Sequence, residues 1–340
     1  MAATVSVIIP AYNSAAFVEE TIASVAAQQR PPDELIVVDD GSTDCTAEVV
    51  ERALARTSIP AQLIRQENGG VAVARNRGAL ASHGDLVTFL DADDLLLPEH
   101  LAAVEKLLDH HPGAVVGFAD VREFDEDGEV PRSTRERSLH RRSGIHTAPA
   151  ALPGATLLGD GLTAAFLLGN FISNSSAVIR RTALSRIGLF DPAFRIGEDR
   201  DLYLRLSLLG PFVELPQVTG LRRRHANSIM ATRNNLQWAA TSLRLLAAFR
   251  DRHPELVTSG ALRDAFVHAS SSWAQIALHE AASTGTGELR RMVRHCRSLG
   301  FGDRPTPRGW ARAIRASLWP TGPTRTGAEM RTPLPRTQGR

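Results

Sequence analysis

Two cysteines, Cys45 and Cys296, in 340 residues are too few for a disulfide framework or a zinc cluster, and they suit a reducing compartment. Lysine is rarer still, with Lys106 alone, so arginine carries the positive charge. No sign of charge dominates. The formal net charge of +2 provides no whole-chain field for a nucleic acid. Nothing approaches the run of about 20 apolar residues that a membrane-spanning helix needs. The N-terminal MAATVSVIIPAYN has no basic region ahead of its short apolar run, which stops at Pro10, so it reads as a strand and not a signal peptide. A cytoplasmic protein follows, with attachment to the inner face of the membrane as its closest approach to lipid. No G-x-G-x-x-G follows the first apolar run, which excludes a dinucleotide-dependent dehydrogenase.

What is present is ordinary globular material, 43% apolar and 22% charged. The first 120 residues alternate two periodicities. Val5–Ile9, Leu35–Val38, Gln62–Arg65, Leu86–Leu90 and Val115–Phe118 read as strands. Between them, helical spacing places Val18, Ile22 and Val25 on one face after Ser14 as a cap, then helices over Thr43–Arg56, Val71–Ser82 and Leu101–Leu108. Strands apolar throughout, separated by amphipathic helices, predict an α/β fold: a mostly parallel, doubly wound sheet with flanking helices. From Asp125 to Thr147 charge without periodicity predicts a mobile loop. Order resumes at Phe166–Ile172 and Ser176–Ile179, and Leu202–Leu209 reads as a helix. Helical spacing from Asn235 to Leu299 predicts a C-terminal helical extension.

Ligands of an open parallel sheet sit beyond the carboxyl ends of its strands. Three such ends carry notable residues: Pro10-Ala11-Tyr12-Asn13, Asp39-Asp40-Gly41-Ser42 and Asp91-Ala92-Asp93-Asp94. Carboxylates two apart on an extended segment can reach one hard cation, which keeps positions open for phosphate oxygens. An Asp-x-Asp triplet alone is equally a solvated turn, but this one directly follows the apolar run LVTFL. Asp39 and Asp40 follow LIVV in the same way, suited to accept hydrogen bonds from a base or ribose or to cap the next helix. Gly69-Gly70, with Arg75 and Asn76 on the next helix, offers backbone donors and a guanidinium to phosphate; Arg75 alone is equally a surface arginine.

In order along the chain, SVIIPAYN, ELIVVDDGSTD, QENGGVAVARNRGA, GDLVTFLDADD and GEDRDLYLRL resemble an inverting glycosyltransferase of family 2 with the GT-A fold, over about residues 4–230. The resemblance implies a catalytic domain over 1–230; helical spacing and composition add a helical extension over 231–300 and a basic, Pro/Arg-rich, partly disordered tail over 301–340. The resemblance also implies that Pro10, Ala11, Tyr12, Asn13 and Asp39 line the base and ribose end of a nucleoside-diphosphate sugar, with UDP- or dTDP-sugars the leading candidates. Tyr12 would stack on the base and Asp40 would support the loop. Gly70, Arg75, Asn76, Asp91 and Ala92 would lie along the rest of the nucleotide sugar. Asp93 and Asp91 form the metal motif for Mg²⁺ or Mn²⁺, with His225 of RRRHANS as a further ligand to metal or diphosphate. Leu221-Arg222 departs from the aromatic residue the family often carries there, which leaves a surface role for His225 open. Asp199 is implied as the catalytic base, with Glu198 orienting it or touching the acceptor, whereas Asp201 reads as a helix N-terminus. Ser173 and Asn174 fall where the family approaches its acceptor, a structural role being the alternative.

The reaction implied is sugar transfer to a saccharide or lipid-linked acceptor, in polysaccharide, glycolipid or other glycoconjugate synthesis. A sugar-phosphate nucleotidyltransferase would show a Gly-rich N-terminal loop bearing a basic residue, which SVIIPAYNSAAF lacks. A nucleotide-sugar binding protein without catalysis is the other alternative, opposed by Asp91, Asp93 and Asp199. Residues 301–340 carry eight arginines against Asp303 and Glu329. Within them Trp310, Ile314 and Leu318 of Gly309–Trp319 recur at helical spacing, which suits either weak association with an anionic membrane surface or packing on the catalytic domain. The terminal WPTGPTRTGAEMRTPLPRTQGR is predicted to be disordered.

Overall fold

Strand β1 (Val5–Ala11) is buried along all 7 residues, because neighbouring strands flank both its edges and apolar clusters cover both its faces. The computed structural model describes residues 3–150, 152–226 and 234–301. Helix α1 (Val18–Ala26) leads to β2 (Glu34–Asp39), α2 (Thr46–Leu54) to β3 (Ala61–Arg65), and α3 (Val71–Ala81) to β4 (Leu86–Phe89). These strands are parallel in the order β3-β2-β1-β4, so the winding reverses between β1 and β4. A crevice opens at that reversal, beyond the carboxyl ends. Ser14 shapes the turn ahead of α1 through its carbonyl, which accepts the Phe17 and Val18 N–H groups at 2.9 and 3.0 Å, and makes no side-chain cap.

After β5 (Leu95–Leu96) and α4 (His100–His110), β6 (Val116–Asp125) runs well past the predicted Phe118. Here the expected mobile loop is overturned. Residues 128–133 form β7 (Gly128–Ser133), antiparallel to β6, and α5 (Thr134–Arg142) follows. Ser133 Oγ accepts the Glu136 N–H at 3.3 Å while the Glu136 carboxylate accepts the Ser133 N–H at 2.8 Å, a reciprocal cap. Apolar spacing missed this helix because the helix has almost no apolar face; the Ser-x-x-Glu cap was in the sequence.

Strands β8 (Thr147–Pro149) and β9 (Thr156–Leu158), helix α6 (Leu162–Leu168), β10 (Ala177–Arg180), α7 (Arg181–Ile187), α8 (Glu198–Leu206) and β11 (Phe212–Arg223) complete the sheet-bearing half. The full order is β3-β2-β1-β4-β10-β6-β11-β9-β8. The fold is α/β as expected, with a mixed sheet: β10 lies antiparallel between β4 and β6, and parallel pairing returns between β6 and β11.

Helices α9 (Asn235–Arg252), α10 (Gly260–Thr284) and α11 (Thr286–Ser298) form the C-terminal extension. One apolar cluster runs from Ile8 and Phe89 of the sheet through Phe166 and Tyr203 to Leu246, Phe266 and Met292 of these helices. The opposite face packs α1, α2 and α4. Arg200 of α8 joins the halves, donating to the Phe166 and Leu167 carbonyls at 2.8 and 2.6 Å and to Ser242 Oγ at 2.9 Å, 5.3 Å from the Trp273 ring. Burial, with Arg141 beside it, pushes the Arg200 pKa down to about 9. The predicted 230 boundary falls in 227–233, outside the described residues, as do the tail's disorder, its Gly309–Trp319 helix and its membrane contact.

His100, at the start of α4, is fully buried with Nδ1 at 2.8 Å from Thr219 Oγ1, and burial lowers its pKa to about 4. Its neutral form therefore favours the folded state. That contribution is complete above the ordinary histidine pKa of about 6.5 and fades as pH falls toward the folded value. Between pH 7.5 and pH 5 we expect urea unfolding to register a loss of about 2 kcal/mol from this group. His100→Gln should flatten that part of the pH dependence; an unchanged slope would remove His100 as its source.

Candidate active site

Two close approaches bring α3 to the carboxyl ends of the sheet. Gly78 faces β1 so tightly that a Cβ would collide with Ile8. Gly41, at φ +76°, turns the chain after β2 where a Cβ would lie 2.8 Å from the Asn68 nitrogen.

Arg75 is the centre of the site. It is 3% exposed, and donates from Nη2 to Asp91 Oδ1 at 2.6 Å and from Nη1 to Glu198 Oε1 at 2.7 Å. Its guanidinium also lies 5.1 Å from the Phe190 ring centre. Burial works against its charge, but Asp91, Glu198 and Asp199 outweigh burial and raise its pKa. The carboxylates respond differently. Burial and the adjacent Asp199 push Glu198 up to about 7 despite Arg75. Burial likewise raises Asp199, although Arg75, the Arg200 N–H at 2.6 Å and Asn170 Nδ2 at 2.7 Å all favour its anion. One cation shared among several acids holds its own charge firmly and neutralises each acid only in part, which accounts for the opposite shifts.

A second group forms at the other end of the Asp-x-Asp triplet. Asp93 Oδ2 lies 2.9 Å from His225 Nε2, and the imidazole packs on Phe17 with 4.6 Å between ring centres. Burial, followed by Asp91, raises the Asp93 pKa. Arg223 spans this corner: Nε donates to the Asp93 carbonyl at 3.1 Å, the guanidinium sits 4.5 Å from the Phe124 ring centre, and Nη2 reaches Glu20. Sequence reasoning passed over Arg223 within its basic run, and over Asp94. Asp94 is buried, accepting from Ser175 Oγ at 2.6 Å and the Arg223 N–H at 3.0 Å, and burial lifts its pKa well above the carboxylate range, with Asp93 and Asp91 adding to the effect. Asn170 was passed over too, in a segment read only for Ser173 and Asn174.

The base-and-ribose candidates divide. Tyr12 is 49% exposed beyond β1, whereas Pro10 and Ala11 are buried within it. Asn13, at φ 49°, accepts the Thr43 N–H at 2.8 Å and donates its own to Ser42 Oγ at 2.9 Å, so it shapes the rim. Asp39 accepts the Ser42 N–H at 3.1 Å and faces Arg65 at 3.7 Å. Asp40 supports the loop: its carboxylate accepts from Gln66 Nε2 at 2.7 Å and from the Gly69 and Gly70 N–H groups at 2.9 and 2.8 Å. Those two amides, read from sequence as phosphate donors, are therefore already occupied.

Asn76 also departs from expectation. Both ends of its amide hold Phe190, donating to its carbonyl at 2.8 Å and accepting its N–H at 2.9 Å, which removes Asn76 from the nucleotide. Ala92 is buried, its carbonyl accepting from Thr21 Oγ1 at 2.9 Å. Asn174 is structural, bridging Tyr203 Oη at 2.9 Å and the Phe89 carbonyl at 3.2 Å. Ser173 is buried, with its carbonyl accepting from Ser176. Asp201 is buried in ion pairs with Arg205 and Arg252 at 2.7 and 2.9 Å.

Among the described residues no three His, Cys, Asp or Glu side chains gather into a ready-made metal cage. Asp93 and His225 still fit a cation of the Mg²⁺ or Mn²⁺ type, which takes one or two protein carboxylates and completes its shell with phosphate and water. No helix among the described residues is long and apolar enough to cross a membrane.

Known proteins share this fold. The family model described as glycosyl transferase family 2 matches residues 6–187. An uncharacterised Mycobacterium tuberculosis protein is 28% identical over 275 residues, covering 79% of this chain and 73% of its own. The fold recurs in Staphylococcus aureus TarS 1–349, solved with UDP-GlcNAc, at TM-score 0.54 and 22% identity over 87% of this chain and 88% of that one. It recurs also in the Pyrobaculum calidifontis mannosyltransferase PcManGT, solved with GDP-Man and Mn²⁺, at TM-score 0.55 and 20% identity over 94% and 88%.

Proposed function

The chain belongs to glycosyl transferase family 2, and we propose that it moves a sugar from a nucleoside diphosphate to an acceptor hydroxyl with inversion, assisted by a divalent cation. The observation that carries this reading is the Arg75 bridge. Asp91, at the end of β4, and Glu198, at the start of α8, share one guanidinium, so the metal motif and the acidic helix start face a single crevice.

An alcohol is too weak an acid to ionise before attack, so its proton must leave as the bond to the anomeric carbon forms. Asp199 takes that proton. Asn170 and the Arg200 N–H fix its carboxylate, and burial raises its proton affinity toward the range where a base works at neutral pH. Glu198 flanks it, and Arg75 limits the repulsion among three acids. Asp93 and His225 would hold Mg²⁺ or Mn²⁺, and Asp91 would stand beside it. Bound there, the cation would neutralise charge gathering on the leaving diphosphate. Exposed Tyr12 offers a stacking face to the base, and Asp39 an acceptor for ribose hydroxyls. The nucleotides in the related structures, UDP-GlcNAc and GDP-Man, support this donor class.

A thermal-shift screen of UDP-, dTDP- and GDP-sugars with and without Mn²⁺ tests donor and metal together, because a ligand of the native state raises the melting temperature by mass action. We expect one nucleotide class to stabilise the wild type strongly only with Mn²⁺. Asp93→Asn should lose the metal-dependent increment and keep the nucleotide-only shift. An increment that survives in Asp93→Asn would remove Asp93 from the metal site.

A further inference from the structure

A cavity of about 600 Å³ opens between the segment 192–196 and helices α9 and α11. Neither Asp93 nor His225 lines it, so it is separate from the candidate metal corner. Its charge is lopsided. Arg195, Arg244 and Arg291 line it, and Glu288, paired with Arg291, offsets only one of them. Among the described residues Arg244 donates once, to the Ala193 carbonyl at 3.2 Å, and stands 5.9 Å from the Phe194 ring centre, leaving most of its donors open to them. Arg195 is exposed and has no ion pair or hydrogen-bond partner among the described residues. His295 Nε2 is buried at the wall with no hydrogen-bond partner among them either.

The cavity adjoins the chemistry. Its lining segment runs through Ile196 into Gly197 and then Glu198 and Asp199. Across it, the methyl of Thr241, a further lining residue, lies 3.7 Å from where a Cβ on Gly197 would stand. A ligand seated here contacts Ile196, two residues before Glu198 and three before Asp199. Open guanidinium forks and an unsatisfied imidazole nitrogen suit phosphate oxygens, which accept paired N–H donors, far better than neutral hydroxyls.

We propose that this cavity binds a phosphate ester carried by the acceptor, so that the acceptor chain is anionic close to the hydroxyl that is glycosylated. The proposal rests on the transferase reading for the word acceptor; the anion site itself does not.

The test uses the full chain with UDP and Mn²⁺ saturating the donor side, titrated calorimetrically with glycerol 1-phosphate at low ionic strength. Wild type should bind, and Arg195→Glu should weaken binding by about tenfold or more, since it replaces a charge-assisted donor with a repelling carboxylate. Arg195 holds nothing else among the described residues, so melting temperature and UDP affinity should not move. Asp199→Asn should bind glycerol 1-phosphate like wild type. No binding by wild type, or equal binding by Arg195→Glu, overturns the proposal. Vesicles containing phosphatidylglycerol form the second arm. If Arg195→Glu releases vesicles yet leaves glycerol 1-phosphate binding intact, the cavity reads lipid headgroups and the acceptor assignment is overturned. Failure of UDP to bind wild type, with the Arg195 effect present, removes the transferase reading and leaves the anion site supported.

Discussion

Asp199→Asn should lower sugar transfer by about 10³- to 10⁴-fold, at the upper end of what general base catalysis contributes. The substitution keeps the shape of the side chain, and its amide oxygen can still accept the Arg200 N–H, but its NH2 then faces the Asn170 donor, so one of the two orienting bonds is given up. Proton acceptance is lost with it, and that loss dominates the expected effect. Nucleotide-sugar affinity should stay within about twofold, because an interaction made only in the transition state affects turnover and leaves ground-state binding alone. Glu198→Gln is the control: its carboxylate is already engaged by Arg75, so its loss should cost much less. If Glu198→Gln proves the more damaging change, the two roles must be exchanged. A wild-type protein that binds donor and shows neither transfer nor donor hydrolysis would favour a binding protein without catalysis.

Arg75→Met should be the most destabilising single change near the site. It deletes the one cation that Asp91 and Glu198 share and leaves two acids facing each other across a buried methionine. Removing one partner of a buried ion pair costs about 3–5 kcal/mol, which should appear as a melting temperature lower by several degrees and a lower urea midpoint. Neutralising an acid at the same time should recover part of this. The double variant Arg75→Met/Glu198→Gln should therefore be less destabilised than the sum of its single variants. Strict additivity would mean that Arg75 stabilises the fold through Phe190 packing and not through its charge.

The strand ends were legible because an aspartate directly after a fully apolar run has few places to go except the carboxyl edge of a sheet. For the same reason Asp91 and Asp93 could be singled out, whereas Asp199 is reached only through the family resemblance of GEDRDLYLRL. What sequence could not reveal was which partner each donor would choose. Gly69 and Gly70 looked available to phosphate, yet Asp40, distant in sequence, takes both amides. Asn76 lies one residue from the central arginine, but both ends of its amide are taken by the backbone of Phe190. Asp94 was one more acid in a cluster; its burial depends on β11 arriving from far along the chain to supply the Arg223 N–H. The antiparallel placement of β10 was hidden for a similar reason, because strand direction is settled by long-range pairing. Helix α5 failed differently: its capping box was readable, but a search keyed to apolar faces passes over a helix that is nearly all charge and hydroxyl.

Arg200 has a consequence for protein engineering. Its guanidinium is clasped by α6 carbonyls on one side and by Ser242 of α9 on the other, one residue from Asp199. A chimera that grafts another relative's C-terminal helices onto this sheet-bearing half would strip a buried cation of its hydroxyl acceptor and its indole neighbour while loosening Asp199, the proposed base. Donor specificity is therefore the safer target for recombination, and the crossover belongs upstream of Phe166.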